Sequence, residues 1–257
     1  MTEEPPLLEL RGVSKTFGAV QALDKVDLTV AAGKVTALAG DNGAGKSVTI
    51  KTIAGLWEPN EGQVLWEGKP VHIHSPTDAE ALGITTIYQD LALCDNLDIV
   101  QNMFLGHESL RHRLLDESSM ELAARRTLAD LHVTTVRSIR QPVASLSGGQ
   151  RQSVAVAKAV MQAAKLVIMD EPTAALGVAQ TAMVLNLIKR LSGQGTAVIL
   201  ISHNLNDVFE VADTIAILYL GRMVAEGPAA EFDRQVVVDY MTTGQSSRAI
   251  TAGAAGQ

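Results

Sequence analysis

The sequence predicts an α/β fold, with a mostly parallel sheet, an antiparallel β subdomain at the N-terminus and a helical insert. Short apolar or alternating runs with tight turns indicate the first strands, at residues 7–10, 26–30 and 35–39. Continuous β-rich runs, typical of strands covered on both faces, follow at residues 84–88, 166–169, 197–201 and 214–220. Between about 93 and 162 no strand pattern is apparent, and residues 118–131 and 150–164 have helical periodicity.

These patterns predict one domain over residues 1–243, with a core at 1–92 and 163–243 and a helical subdomain at 93–162. The remaining residues, 244–257, are small and polar, and we expect a disordered tail there. Residues 91–105 are more apolar than a short loop requires. They either pack the helical insert or form a groove for another protein.

Composition narrows the classes of partner. The chain has 257 residues, 47% of them apolar, with 28 acidic and 21 basic residues and a net charge of −7. An acidic chain with only 4% aromatic residues is a poor match for nucleic acid or an anionic lipid surface. The single cysteine, Cys94, excludes an internal disulfide and fits a reducing compartment. No signal-peptide pattern or spanning apolar run is apparent, so we expect a cytoplasmic chain.

A phosphate-binding loop is the strongest local signal. Residues 40–47, GDNGAGKS, match G-x-x-x-x-G-K-[ST] between a predicted buried strand and a predicted helix. Such a loop closes backbone N–H groups around phosphate oxygens, while its lysine reaches the β- and γ-phosphates and its serine binds Mg²⁺. The candidate phosphate ligands are Gly40, Asp41, Asn42, Gly43, Ala44, Gly45, Lys46, Ser47 and Val48. The alternative is a glycine-rich turn that only caps the helix.

Two adjacent acids follow the predicted strand at 166–169. Ligands bind at this edge of open α/β sheets. Asp170 suits Mg²⁺, and Glu171 suits a general base or a residue that positions water. Acidic residues also end many strands without any chemical role. That alternative is weak here only because the chain also contains the phosphate loop.

The sequence Leu146-Ser147-Gly148-Gly149-Gln150 directly precedes a predicted helix. Ser147 is a suitable N-cap, which is the ordinary interpretation. The free N–H groups of such a helix start, together with the serine hydroxyl, also suit a second anion site. The pentapeptide is rare by composition, and we call it the signature.

With these motifs in this order, the chain resembles the ATP-binding subunits of ABC transporters over about residues 7–243. The expected fold is therefore a P-loop NTPase core of the ABC ATPase type. The resemblance implies that Phe17 stacks on adenine and that His203 senses the γ-phosphate. It also implies that Gln89 senses Mg²⁺ and the attacking water while linking to a permease.

The full set of implied roles follows from the same resemblance. Catalytic residues are Glu171, His203, Gln89 and Lys46, and Mg²⁺ ligands are Ser47, Gln89 and Asp170. The signature residues Ser147, Gly148, Gly149 and Gln150 close on the ATP of a second copy. ATP and Mg²⁺ are the implied cofactors.

Several segments resemble the monosaccharide importers in particular. They are Ser75-Pro76, Gly83-Ile84, residues 87–106, residues 171–177 and His203-Asn204-Leu205. This class commonly fuses two cassettes, whereas this chain has one, so a homodimer is implied. The other implied partners are two permease subunits at the inner face of the membrane and, indirectly, an extracytoplasmic sugar-binding protein. No nucleic acid is expected.

The chain departs from the family pattern at two positions. Gly177 stands where the family usually has an aspartate that helps the two sites communicate, so communication between the sites is in question. Val48 stands where a threonine is common, which removes a hydroxyl contact but keeps the backbone N–H.

Three other function classes share parts of this pattern. Chromosome-maintenance or repair ATPases need long coiled-coil arms, but only 56 residues separate Gln89 from Leu146. Ribosome-binding ATPases of this superfamily carry two cassettes and usually a basic character. A binding module without hydrolysis would have lost catalytic residues that this chain retains.

Overall fold

The computed structural model describes residues 5–88, 90–133, 135–174 and 176–246. In chain order the strands are β1 (Leu8–Phe17), β2 (Val20–Val30), β3 (Val35–Ala39), β4 (Glu61–Trp66), β5 (Lys69–Val71), β6 (Ile84–Ile87), β7 (Leu110–Arg111), β8 (Leu114–Leu115), β9 (Leu166–Asp170), β10 (Ala197–Ile201), β11 (Thr214–Tyr219) and β12 (Arg222–Pro228). The helices are α1 (Lys46–Ile53), α2 (Pro76–Leu82), α3 (Ile99–Phe104), α4 (Glu117–Asp130), α5 (Gly148–Met161), α6 (Val178–Gly193), α7 (Leu205–Val211) and α8 (Arg234–Thr243).

The N-terminal strands form the predicted antiparallel sheet, in the order β2-β1-β4-β5. Strands β1 and β2 extend well beyond the predicted segments at 7–10 and 26–30. Several of the added residues, such as Lys15, Thr16 and Gln21, are polar and interrupt the apolar pattern. Their conformation is set by pairing between the two strands, for example Thr16 opposite Gln21.

The second sheet has the order β12-β11-β3-β10-β9-β6. Strands β11, β3, β10, β9 and β6 are parallel, and β12 pairs antiparallel at the edge. Asp170 lies opposite Ile201, and Ile201 lies opposite Leu38. The ends of β3, β9 and β10 therefore meet at one edge of the sheet, where ligands bind in such folds.

Strand β9 explains why its sequence is a continuous apolar run. Leu166 and Ile168 pack with the β subdomain and α1, whereas Val167 and Met169 pack with the helical insert and α6. Both faces of the strand are buried, as expected for a parallel strand covered on both sides.

The helical insert lies between β6 and β9 and contains α3, α4 and α5. We expected no strand there, and this was wrong in one detail, because β7 and β8 form a small hairpin. Each strand has two residues, too few for an alternating pattern. The turn residues His112 and Arg113 both have positive φ without being glycine or asparagine, so the usual hairpin signal is missing.

Helix α8 ends at Thr243, with Gly244 as its C-cap in a left-handed conformation. Most of the tail that we expected to be disordered, residues 247–257, lies outside the described residues. Among the helices that the structure describes, none has the length and apolar character needed to cross a bilayer.

Candidate active site

The phosphate-binding loop connects β3 to α1 at the sheet edge. Gly45 precedes the helix with φ +109°, and Gly43 has φ +79° with no atom within 4 Å of where a Cβ would lie. The N–H of Thr49 donates to the carbonyl of Gly45 at 2.9 Å, which is the first bond of the helix. The N–H groups before it have no partner within the helix. The loop therefore offers open space and free donors, as an anion requires.

Lys46 lies across this loop. Its Nζ donates to the carbonyl oxygens of Gly40 at 2.6 Å and Asp41 at 3.0 Å. Burial lowers the pKa of Lys46, against the opposing attraction of Glu171, Asp41 and Asp170. A bound phosphate would add negative charge beside the ammonium and favour its charged form.

Asp170 and Glu171 lie opposite the loop, at the end of β9. Asp170 is half-buried, and its pKa is raised by burial and then by the neighbouring Glu171, with Lys46 acting in the opposite direction. Glu171 has φ +52°, and its N–H donates to the carbonyl of Ile201 at 2.9 Å. A glutamate in this conformation is uncommon, and such strain occurs preferentially at functional sites.

Glu171 and His203 are in direct contact, although they are far apart in sequence. His203 Nδ1 pairs with Glu171 Oε2. The contact follows from the pairing of β9 with β10, since each residue comes directly after or shortly after the end of its strand. The carboxylate is largely buried, whereas the imidazole is mostly exposed.

A cavity of about 500 Å³ joins these elements. Its lining residues are Val20, Gln21, Ala22, Asn42, Gly43, Ala44, Gly45, Lys46, Ser47, Val48, Asp170, Glu171, Ile201, Leu220 and Gly221. The lining residues from β2 and from the β11–β12 turn carry no chemical signal in the sequence and were not predicted. Gly40 and Asp41 lie at the start of the loop and contact the cavity through Lys46.

Phe17 does not line this cavity. It lies at the tip of the β1–β2 hairpin, opposite Val20, which does line it. Phe17 is 40% exposed, and its ring contacts Trp57 edge-on, with 4.7 Å between ring centroids. An adenine base could stack on its exposed part, and this role stays a prediction.

The signature begins α5 and has the geometry of a helix cap. Gln150 N–H donates to Ser147 Oγ at 3.4 Å, and Ser147 N–H donates to Gln150 Oε1 at 2.9 Å. Gly148 and Gly149 are packed so closely that a Cβ at either position would lie 2.8 Å from Leu176 or Met183, respectively. None of these signature residues lines the phosphate-loop cavity of the same chain.

The predicted Mg²⁺ ligands fit the chemistry of that ion in part. Ser47 and Asp170 both line the cavity, whereas Gln89 lies outside the described residues. A hydroxyl and one carboxylate suit Mg²⁺ that takes its remaining ligands from phosphate and water, the usual arrangement in nucleotide sites.

Comparison with known proteins identifies the family. A family model described as "ABC transporter" matches residues 23–174. The chain belongs to the ABC transporter family. The fructose import ATP-binding protein FrcA of Rhizobium meliloti is 46% identical, over 93% of this chain and 95% of its own length. The xylose/arabinose import ATP-binding protein XylG of Sulfolobus acidocaldarius is 45% identical, over 92% of this chain and 94% of its own length.

Other members of the family are longer than this chain. The ribose import ATP-binding protein RbsA 1 of Agrobacterium fabrum is 41% identical over 96% of this chain, but this covers only 49% of its own length.

Solved structures support the fold. An ATP-binding cassette of an ABC transporter in its ADP conformation matches with a TM-score of 0.78 and 26% identity, over 93% of this chain and 95% of its own. A nucleotide-free cassette matches with a TM-score of 0.76 and 27% identity, over 87% of this chain and 91% of its own. The predicted P-loop NTPase fold of the ABC ATPase type is thus confirmed.

Proposed function

We propose that the chain is the ATP-hydrolysing subunit of an ABC importer for a monosaccharide. The observation that carries the catalytic part is the pairing of Glu171 with His203 beside the cavity that also holds Lys46 and Asp170. The relatives named above as fructose, xylose/arabinose and ribose import proteins support the class of cargo. The chain would act as a homodimer bound to two permease subunits at the cytoplasmic face of the membrane, supplied by an extracytoplasmic sugar-binding protein.

The site residues divide the work of hydrolysis. The loop N–H groups and the Lys46 ammonium hold the β- and γ-phosphates. Ser47 and Asp170 would hold Mg²⁺, which offsets phosphate charge when bound. Glu171 accepts a proton from the water that attacks the γ-phosphorus, and the bridging oxygen leaves with ADP. His203 keeps the Glu171 carboxylate in place through their contact.

The signature supports the dimeric arrangement. Ser147 and Gly148 are exposed to solvent, and they do not reach the phosphate-loop cavity of their own chain. An exposed helix start with free N–H groups can instead meet the phosphates held by a second copy. Each ATP would then lie between the loop of one copy and the signature of the other.

Replacing Glu171 with glutamine tests the catalytic assignment. The amide keeps the size of the side chain but cannot accept the proton, so hydrolysis should fall by about 10²–10⁴. ATP binding and ATP-driven dimerisation should persist. The matched control is Glu210→Gln, which changes a carboxylate on α7 that pairs with Lys189 away from the cavity and should hydrolyse ATP normally. Near-normal turnover in Glu171→Gln would remove Glu171 from this role.

The apolar segment at residues 91–105 serves first to pack the insert. Ile99, Val100, Met103 and Phe104 are buried in its core.

A separate cavity of about 320 Å³ lies at the end of α3, lined in part by Phe104, His107 and Met161. We propose that this cavity receives a cytoplasmic helix of the permease. His107→Glu should reduce sugar uptake by cells while the ATPase rate of the isolated chain stays unchanged. Unchanged uptake would count against this contact.

A further inference from the structure

Residues 94–98 are bonded to the segment that leads into the signature. Val143 N–H donates to the carbonyl of Leu97 at 3.0 Å, and Ala144 N–H donates to the carbonyl of Asp95 at 3.1 Å. The Arg151 guanidinium completes the connection, with its Nη1 3.1 Å from the Asp95 carboxylate. Two segments nearly fifty residues apart are therefore joined by backbone and side-chain contacts.

Arg151 holds both sides of this junction. Its Nη2 donates to the carbonyl of Ala144 at 3.2 Å, and its Nε donates to the carbonyl of Leu146 at 3.4 Å. Ser147, whose hydroxyl caps α5 by accepting from Gln150 N–H, comes directly after Leu146. One side chain in the first turn of α5 thus fixes the backbone on which the signature begins.

Asn102 fixes the other half of the junction. The side chain is buried, since the residue is 1% exposed, and both its amide oxygen and its amide nitrogen form hydrogen bonds. Its Oδ1 accepts from Cys94 N–H at 2.7 Å, and its Nδ2 donates to the carbonyls of Cys94, Leu97 and Asp98 at 2.9, 3.3 and 3.0 Å. A buried amide with every group paired gives the 94–98 loop a single conformation. Asp95 is therefore presented to Arg151 on a rigid support.

A strained turn separates this rigid junction from the sheet. Leu91 and Ala92 are consecutive residues with φ of +60° and +46°, a conformation that neither side chain favours. Leu91 N–H donates to the carbonyl of Tyr88, just beyond the end of β6, at 2.9 Å. The rigid junction is thus connected to β6 through a strained turn.

We infer that Asp95 and Arg151 form a clasp that holds the start of the signature against residues 94–98 and so sets the orientation in which the signature meets ATP held by a second copy. Both are positioning residues, since neither lines the phosphate-loop cavity. This inference rests on the proposed function, because it assumes that the signature closes on ATP held by a second copy. It adds two residues, Asp95 and Arg151, that determine the position of the signature.

Asp95→Ala in a Glu171→Gln background tests the clasp. Without its carboxylate partner, Arg151 no longer ties the signature to the 94–98 loop. The ATP-driven dimer, measured by analytical ultracentrifugation, should be about two- to fivefold weaker, because the loss of one partly exposed ion pair sets the upper limit of the effect. The affinity of the monomer for a fluorescent ATP analogue should stay within about twofold, as the phosphate loop is untouched.

Two further variants separate positioning from general stability. Glu210→Ala breaks the Lys189 pair, which has similar exposure and a 3.2 Å contact, and should leave dimerisation unchanged. Asp95→Glu keeps the charge and should recover most of the dimer affinity, with thermal melting equal to that of the parent. A weaker dimer accompanied by lower melting and no recovery in Asp95→Glu would overturn the clasp.

The outcomes distinguish the clasp from the proposed function. If Glu171→Gln alone neither binds ATP nor dimerises with it, the proposed function fails. If Glu171→Gln dimerises and the added Asp95→Ala leaves that dimer equally tight, the clasp alone is wrong.

Discussion

Gly45→Ala tests whether the backbone of the phosphate loop, rather than its side chains, builds the site. Gly45 has φ +109°, and a Cβ there would lie 2.9 Å from Leu23 Cδ2 and 3.0 Å from the carbonyl oxygen of Ala22. The strained backbone costs about 1–3 kcal/mol, and the crowding against the fully buried Leu23 costs about 1–3 kcal/mol more. The free energy of unfolding should therefore fall by about 2–6 kcal/mol.

The effect should extend to nucleotide binding. Room for the new methyl group requires β2 to shift at Ala22, which lines the cavity. Urea unfolding followed by circular dichroism measures the stability, and titration with a fluorescent ATP analogue measures the affinity. Gly43→Ala and Gly193→Ala are matched controls, because neither Cβ would meet an atom within 4 Å.

The controls also separate the two costs. Gly43→Ala should lose only about 1–2 kcal/mol, since its φ of +79° strains an alanine without crowding it. Gly193→Ala, at the end of α6, should be neutral or stabilised by up to about 1 kcal/mol. If Gly45→Ala were no less stable than Gly43→Ala, the contacts with β2 would carry no energetic weight and the reasoning would be refuted.

Three other predictions concern separate parts of the chain. Lys46→Ala removes a charged donor to phosphate and should weaken ATP binding by about 10- to 100-fold in a fluorescence titration; unchanged affinity would contradict the loop assignment. The pKa of His74 is raised, mainly by its hydrogen bond to Glu58 at 2.5 Å. Glu58→Gln should lower that pKa in an NMR titration, and an unmoved pKa would exclude the pair. The pair should stabilise the fold fully below the ordinary histidine pKa and lose its effect as pH rises through the raised value. Gly177→Asp supplies an N-cap that α6 lacks and should raise stability by about 0.5 kcal/mol in thermal melting; a lower melting temperature would show that the turn excludes a side chain.

The sequence predicted best where structure is determined locally. The phosphate loop is encoded by its glycines and by the lysine and serine that follow, so its motif gives both conformation and chemistry. The buried strands were also predictable, because a strand covered on both faces must be apolar throughout, as β9 is. The parts of β1 and β2 around Lys15, Thr16 and Gln21 were not predictable, because only cross-strand pairing makes these polar residues part of strands.

The same distinction applies to the candidate site. Glu171 and His203 could each be named from their motifs, but their contact depends on the adjacent placement of β9 and β10. Gln21 and Leu220 line the cavity only because their turns lie beside the phosphate loop, and neither side chain signals such a role. Phe17 could be assigned a role by resemblance, yet its edge-on contact with Trp57 could not be inferred.

Strand β9 contributes to two hydrophobic cores, one shared with the β subdomain and one shared with the insert. Asp170 is the last residue of β9, and Glu171 follows it directly. A change of side-chain volume in either core, for example at Ile168 or at Met169, would displace the same two carboxylates. Packing on either side of β9 therefore has its own route to Asp170 and Glu171.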